Sequence, residues 1–297
     1  MTYNLPLAFS RSTVRIAELV RSYNAQPQSF LMLLDGADLF TIIIPTHDRP
    51  YLLQRTLQSL VRQSFTDFTT IIVSDSSSYF PPYQELKDLK GRYTYLIHNT
   101  GGGPASSRNM GIDLANTKYV MFLDDDDTLE PDHLMMLSKL LDPKADKITF
   151  CNFKILEEDR TENPPKYIST KDLDIAGVTR NDVYILNRIP NSCLVYPLAS
   201  IKGRRFDGSI ILYEDWDFLL ECVKDWDLIH VPIHSVVIHK SWAAGEENAR
   251  RGNSSNHKLL EVTLELYRRH PAPTVDIKLA RQSLLARSGV NLTLDNF

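Results

Sequence analysis

The sequence predicts an α/β fold: a mostly parallel sheet flanked by helices, with helical extensions at both ends. Three observations carry it. Short β-branched runs alternate with amphipathic helical stretches through residues 40–127, joined by connections of a few residues. The runs are apolar throughout, the pattern of strands covered on both faces. Each of three runs ends in a polar cluster, at Asp48, at Asp75 and at residues 124–127. In such sheets ligands bind at the carboxyl ends of the strands, so these clusters should converge.

Residues 1–39 read as an N-terminal helical arm. Its helix starts near the cap candidate Ser12, carries Val14, Ile16, Leu19 and Val20, and is followed by the apolar residues 30–34. The apolar face suits the protein body, a second subunit or a membrane surface, in falling order. Residues 40–45, F-T-I-I-I-P, read as a buried strand stopped by Pro45. Pro50 opens a helix with Leu53, Leu57, Leu60 and Val61 at helical spacing. Strands follow at residues 70–73 and 93–97, with a short helix at 84–90 between them. The glycine loop 99–104 leads into a helix through Arg108, Asn109, Met110, Ile112 and Leu114. The next strand, Y-V-M-F-L, runs directly into four consecutive aspartates.

The second half alternates less regularly. Leu134, Leu137, Leu140 and Leu141 mark a helix after Pro131. Residues 147–156 read as a strand, 157–166 as a polar, Pro-rich loop, and 181–188 as helical. Leu212-Tyr213-Glu214-Asp215-Trp216 opens a helix that turns Phe218, Leu219 and Cys222 toward the core. Strands at 228–231 and 235–238 end in His239-Lys240. Residues 241–297 read as a mobile loop, to about 256, and two amphipathic helical segments at 259–267 and 277–285.

Composition narrows the partners. A formal net charge of -4 over 297 residues gives no basic footprint for nucleic acid. Cys151, Cys193 and Cys222 are widely spaced and odd in number, as expected of reduced thiols in a cytoplasmic protein. No apolar run approaches the roughly 20 residues that span a bilayer, and no signal-peptide pattern is present.

The aspartate run admits two readings. Strand alternation would place Asp124 and Asp126 on one face and Asp125 and Asp127 on the other, a half-site for a hard divalent cation. Alternatively the run is the solvated, acidic entrance of the helix behind Thr128, Glu130 and Pro131. The run alone leaves both open.

Five motifs stand in order: P-T-H-D-R at Pro45 to Arg49, the strand-end Asp75, S-R-N-x-G at Ser107 to Gly111, F-L-D-D-D-D at Phe122 to Asp127, and E-D-W-D-F at Glu214 to Phe218. Together, over about residues 40–239, the chain resembles a family 2 glycosyltransferase. The resemblance implies a GT-A domain at 40–240, with a nucleotide-binding half (40–127) and an acceptor half (128–240). It implies a nucleotide-sugar donor, most often a UDP-sugar, a Mn²⁺ or Mg²⁺ ion, and inverting transfer to an acceptor hydroxyl, as in polysaccharide biosynthesis.

The same resemblance assigns roles. Asp124 and Asp126 form the metal pair, with Asp126 the direct ligand, and Asp125 belongs to the donor site. Asp127 orients the donor sugar or caps the next helix, the cap being favoured. Asp48 and Asp75 meet ribose and uracil, while Pro45 and Thr46 shape the base pocket. For Asp75 an Asx-type turn with Ser76 and Ser77 competes. Gly103, in the loop 101–103, lies in a phosphate cradle, although Asn99 is displaced and Ser107 stands where alanine is usual. Arg108 reaches the diphosphate or buttresses the carboxylates. Asp215 is the general base and Glu214 positions the acceptor or supports the groups that touch it, against the plain reading of an acidic helix start. His239 completes the metal site or touches the phosphates, with His230, His234 and His257 as the other late histidines, and residues 241–256, with Arg250 and Arg251, form a lid or a plain surface loop.

The acceptor is a saccharide, a lipid-linked saccharide or another hydroxyl compound. The arm leaves room for a homo-oligomer or a peripheral contact with the inner face of the membrane. Two other classes compete. A nucleotidyltransferase would want a glycine-rich, basic loop after the first strand, which P-T-H-D-R is not. A silent nucleotide-sugar or carbohydrate-binding module would be expected to lose Glu214 and Asp215.

Overall fold

The computed structural model describes residues 38–76, 81–98, 101–141, 147–162, 164–210, 212–241, 256–287 and 289–296. The helix expected near Ser12, and nearly all of the expected lid, lie outside the described residues.

The first half is the expected parallel block. Strands β1 (Phe40–Thr46), β2 (Phe68–Ser74), β3 (Tyr93–Ile97) and β4 (Tyr119–Phe122) lie in the order β3-β2-β1-β4. Every neighbouring pair among them is parallel. Helices α1 (Pro50–Val61), α2 (Tyr83–Asp88) and α3 (Gly103–Leu114) make the crossovers. The centre is apolar for a simple reason: every β1 residue is buried, so its side chains meet helices on both faces. Helix α1 begins at Pro50, where the missing N–H is not needed, and buries Leu52, Leu53, Leu57 and Leu60.

Among the described residues, the second half extends this sheet with mixed pairing to nine strands by adding β5 (Thr128–Leu129), β6 (Ile148–Asp159), β7 (Lys166–Leu173), β8 (Leu194–Pro197) and β9 (Leu228–Lys240), in the order β3-β2-β1-β4-β8-β6-β9-β5 with β7 off the path beside β6. Strand β8 is antiparallel to β4 and to β6. Strand β9 is parallel to β6, and β5 is antiparallel to β9.

Two sequence expectations change here. Residues 157–159 continue β6, which pairs with β7; polarity misled because β7 is mostly exposed and the buried residue of this end of β6, Glu158, meets charged partners and not apolar ones. The two strands expected around Pro232 are one, because a register shift opposite Cys151 and Phe153 leaves that proline outside the ladder.

The remaining helices are α4 (His133–Leu140), α5 (Arg180–Ile185), α6 (Leu198–Ile201), α7 (Glu214–Val223), α8 (Asn256–Arg269) and α9 (Val275–Arg287). Leu266, Tyr267, Ile277 and Leu285 of the last two join the same hydrophobic core as the sheet. Among the described residues, no helix is long and apolar enough to cross a membrane.

Candidate active site

The aspartate run does not continue the strand. Strand β4 stops at Phe122 and the chain turns at Asp125 and Asp126, so alternation of faces is lost. One carboxylate oxygen from each of Asp124, Asp126 and Asp127 gathers within 4.8 Å of the others. Asp125 instead accepts from the Thr46 hydroxyl at 2.7 Å and pairs with Arg49. The Thr56 hydroxyl fixes the turn, 2.8 Å from the Asp125 carbonyl and 2.7 Å from that of Asp127. Asp127 therefore joins the face expected to hold only Asp124 and Asp126. Nor does it cap a helix: α4 starts at His133 with Asp132 at its cap position, after β5 has intervened. Asp127 is buried, accepting from the Ser192 hydroxyl at 2.8 Å and from the His239 main-chain N–H at 3.2 Å.

Charge is managed locally. Asp126 pairs with Arg160 at 3.2 Å and Arg49 at 3.7 Å, and its carbonyl accepts from Arg55 at 3.1 Å. Burial pushes the Asp125 carboxyl up to about 7; Arg49 opposes this and the neighbouring Asp126 adds to it. Asp124 stays 29% exposed, which leaves the cluster an opening to solvent. The donor set is hard oxygen, and aspartates 124–127 with Glu158, Glu214 and Asp215 outnumber Arg49, Arg55, Arg108 and Arg160. That chemistry fits a divalent cation.

Behind the cluster sits Glu158, bonded to Arg55 at 2.6 and 3.1 Å and to Arg160 at 2.8 Å. Burial alone would raise this carboxyl; its bonds to His239, Arg55 and Arg160 outweigh that and hold it well below the usual range. His239 has its Nε2 2.9 Å from the Thr128 hydroxyl and its Nδ1 3.3 Å from Glu158. Burial lowers its pKa, and both ring nitrogens meet protein groups. It stands next to the carboxylate trio and is not part of it.

At the neighbouring strand ends, Asp75 is buried and closes the glycine loop. Its Oδ1 accepts from the Gly101 N–H at 3.0 Å and its Oδ2 from the Gly103 N–H at 2.7 Å. Two amides of the expected phosphate cradle thus face Asp75. Gly101 and Gly103 have φ of 69° and 67°, the left-handed region that glycine enters at no steric cost. Asp48 is 56% exposed and accepts from the Ser76 hydroxyl. Pro45 lies in β1, and Thr46 at its end reaches Asp125. Asn99 and Ser77 lie outside the described residues.

On the opposite side, Arg108 of α3 joins two parts of the site. Its Nη2 reaches Asp124 and its Nη1 reaches Glu214, each at 2.9 Å, and its guanidinium lies 5.3 Å from the centroid of the Phe206 ring. The two carboxylates outweigh the burial of this cation and keep it charged. Glu214 opens α7 and lines a cavity of about 190 Å³ together with Gly101, Gly102, Gly103 and Ile210. Asp215 accepts its neighbour Trp216's N–H at 2.8 Å. Burial and the charge of Glu214, opposed by Arg108, push its carboxyl up to about 6. Just before them Tyr213 has φ 62°, unusual for a non-glycine residue.

Arg49, Arg55, Glu158, Arg160 and Ser192 were not among the sequence candidates. Arg49 lay within a recognised motif, whereas Glu158 and Arg160 were hidden in a stretch read as loop. Ser192 carries no local signal.

The family model for glycosyl transferase family 2 matches residues 41–194. The chain is 33% identical over 197 residues to the putative colanic acid biosynthesis glycosyl transferase WcaA of Escherichia coli, covering 63% of this chain and 67% of WcaA. It is 30% identical over 203 residues to the succinoglycan biosynthesis protein ExoW of Rhizobium meliloti, covering 62% of this chain and 63% of ExoW. Residues 1–349 of S. aureus TarS, solved in complex with UDP-GlcNAc, share the fold at a TM-score of 0.62 and 17% identity, over 84% of this chain and 72% of that one. The mannosyltransferase PcManGT from Pyrobaculum calidifontis, solved with GDP-Man and Mn²⁺, aligns at a TM-score of 0.51 and 13% identity over 96% of this chain and 85% of its own. The sheet is the GT-A sheet expected from the motifs, and the chain belongs to glycosyl transferase family 2 and is a glycosyltransferase.

Proposed function

We propose that the protein transfers a sugar, with inversion, from a UDP-sugar to the hydroxyl of a saccharide or lipid-linked acceptor, assisted by a divalent cation. One observation carries this reading: a single buried guanidinium, Arg108, ties the carboxylate cluster at Asp124 to the Glu214-Asp215 pair. That link supports a reading in which the carboxylates that would hold a cation and the carboxylate that would act as base serve one reaction.

In this reading Asp124, Asp126 and Asp127 hold the cation, which when bound stabilises charge on the departing diphosphate. Asp215 takes the proton of the acceptor hydroxyl as that oxygen attacks C1 and the bond from C1 to the diphosphate oxygen breaks. A carboxyl raised to about 6 is ionised at neutral pH and is a stronger base than an ordinary aspartate. Glu214 is positioned by Arg108 on the acceptor side. His239 and Glu158 brace the ligands from behind. Asp48 and Thr46 edge the nucleoside pocket, and Asp75 shapes that pocket through the glycine loop. The biosynthetic roles in the names of WcaA and ExoW support a saccharide-type acceptor.

Calorimetric titration of UDP, with GDP as control, tests the donor site with Mn²⁺ and with EDTA on wild type and Asp126→Ala. UDP binding that requires both the cation and Asp126 is the expected result. Tighter GDP binding would change the donor; no nucleotide binding under any condition would remove the proposal.

A further inference from the structure

The helix that carries Glu214 and Asp215 is held from behind by the C-terminal helices, which lie beyond the matched residues 41–194. Asp217, buried on α7, meets His270 Nε2 at 2.7 Å and Arg269 at 3.3 Å. A carboxylate only accepts, so His270 carries a proton on Nε2. Its Nδ1 lies 3.5 Å from Glu221, one turn along α7. Residues four apart share a helix face, so one buried ring faces both carboxylates.

Trp216, between Asp215 and Asp217, packs edge-on against Tyr267 at 6.3 Å and donates from Nε1 to the Val183 carbonyl at 2.7 Å. Fully buried Arg281 of α9 fixes the rest. Its Nε donates to the Tyr184 carbonyl and its Nη2 to the His270 carbonyl, each at 2.8 Å, and its guanidinium lies 4.0 Å from the centroid of the Tyr267 ring. These carbonyls lie at the C-terminal ends of α5 and α8, where helix dipoles favour a cation. Moving α8 would strand buried donors, so the brace is stiff. What it restrains is strained: Tyr213, left-handed just before Glu214, packs its ring on Trp216 at 5.7 Å.

We infer that His270 and Asp217 are positioning residues for sugar transfer: through them the C-terminal helices fix the first turn of α7 and the direction of the Asp215 carboxylate. The inference rests on the reading of Asp215 as the base. Without the His270 contact the first turn is free to relax the Tyr213 backbone, and the Glu214-Asp215 pair moves with it.

The test uses the full chain as wild type, His270→Ala, His270→Gln and Asp215→Asn. UDP release from UDP-GlcNAc and UDP-glucose is followed with Mn²⁺, UDP affinity is measured by calorimetry, and the Trp216 amide and indole resonances report the start of α7. We expect His270→Ala to keep UDP affinity and donor KM within about twofold, to lower kcat by about tenfold to a hundredfold, and to shift both Trp216 resonances. His270→Gln, whose side-chain amide can still donate to Asp217, should restore most of kcat and the resonances. Unmoved resonances with unchanged kcat in His270→Ala overturn the inference even if Asp215→Asn is inactive. Turnover retained in Asp215→Asn overturns the base assignment instead. The resonances decide the matter if neither sugar is turned over.

Discussion

Burial and the charge of Glu214 raise the Asp215 carboxyl to about 6, and a general base acts only when ionised. Turnover should therefore rise with pH through about 6 and level off above it. Asp215→Asn should lower kcat by about 10²–10⁴-fold and abolish that limb at unchanged UDP affinity, read by UDP release from about pH 5 to about pH 8. The same shift opposes folding. The native carboxyl keeps a proton that the unfolded chain releases above its ordinary value of 3.8, so this residue's contribution to stability falls as pH rises from there to about 6. Glu158 has the opposite sign: its pKa is depressed, so its contribution is complete above the ordinary value of 4.5 and is lost as pH falls below it. Its side chain is 4% exposed and answers Arg55, Arg160 and His239. Glu158→Gln leaves those groups without their anion and should destabilise by about 3–5 kcal/mol in urea denaturation near neutral pH.

At the scale of elements, the S-R-N-x-G motif has a packing reason beside its chemistry. A Cβ at Gly111 would lie 2.4 Å from Ile43 Cγ2 and 2.9 Å from its Cγ1, so α3 approaches the centre of β1 as closely as a glycine permits. Gly111→Ala gains up to about 1 kcal/mol of helix propensity. It overpacks a strand whose residues are all buried, at a cost of about 1–3 kcal/mol. Net destabilisation is expected in chemical denaturation, and Ile43→Ala, which removes both γ carbons that the new methyl meets, should cost less in the Gly111→Ala background than in wild type. If Gly111→Ala proves neutral, the close approach does not limit this helix. Arg108 stands on the same helix, so that packing also sets how far its guanidinium reaches between Asp124 and Glu214.

At the scale of the molecule, the C-terminal helices are part of the enzyme's core. Leu266, Tyr267, Ile277 and Leu285 are buried with the sheet, and Arg281 links both helices to Tyr184. Ending the chain after residue 255 should expose Trp216 and unpair Asp217. The truncated protein is expected to melt at lower temperature and to lose UDP release, although the matched family segment is intact. Retained melting temperature and activity would show the two helices to be dispensable.

What the sequence determined was whatever depends on local order: the alternation of strands and helices in residues 40–127, the strand-end carboxylates and the sequence of motifs that marks the family. Pattern alone suffices there because a doubly covered parallel strand needs a continuous apolar run, and because Pro50 starts the first helix; Pro45, read as a strand stop, instead lies inside β1, whose ladder continues to Thr46. The tertiary structure alone decided which carboxylates meet. The turn at Asp125 and Asp126 broke the strand alternation, so Asp127 joined the trio and Asp125 turned to Thr46 and Arg49. It also brought Glu158, Arg160, His239 and His270 behind the site from strands and helices far along the chain. Partners separated by tens of residues leave no local periodicity, because what selects them is burial of charge in the folded interior, which no stretch of the chain experiences alone.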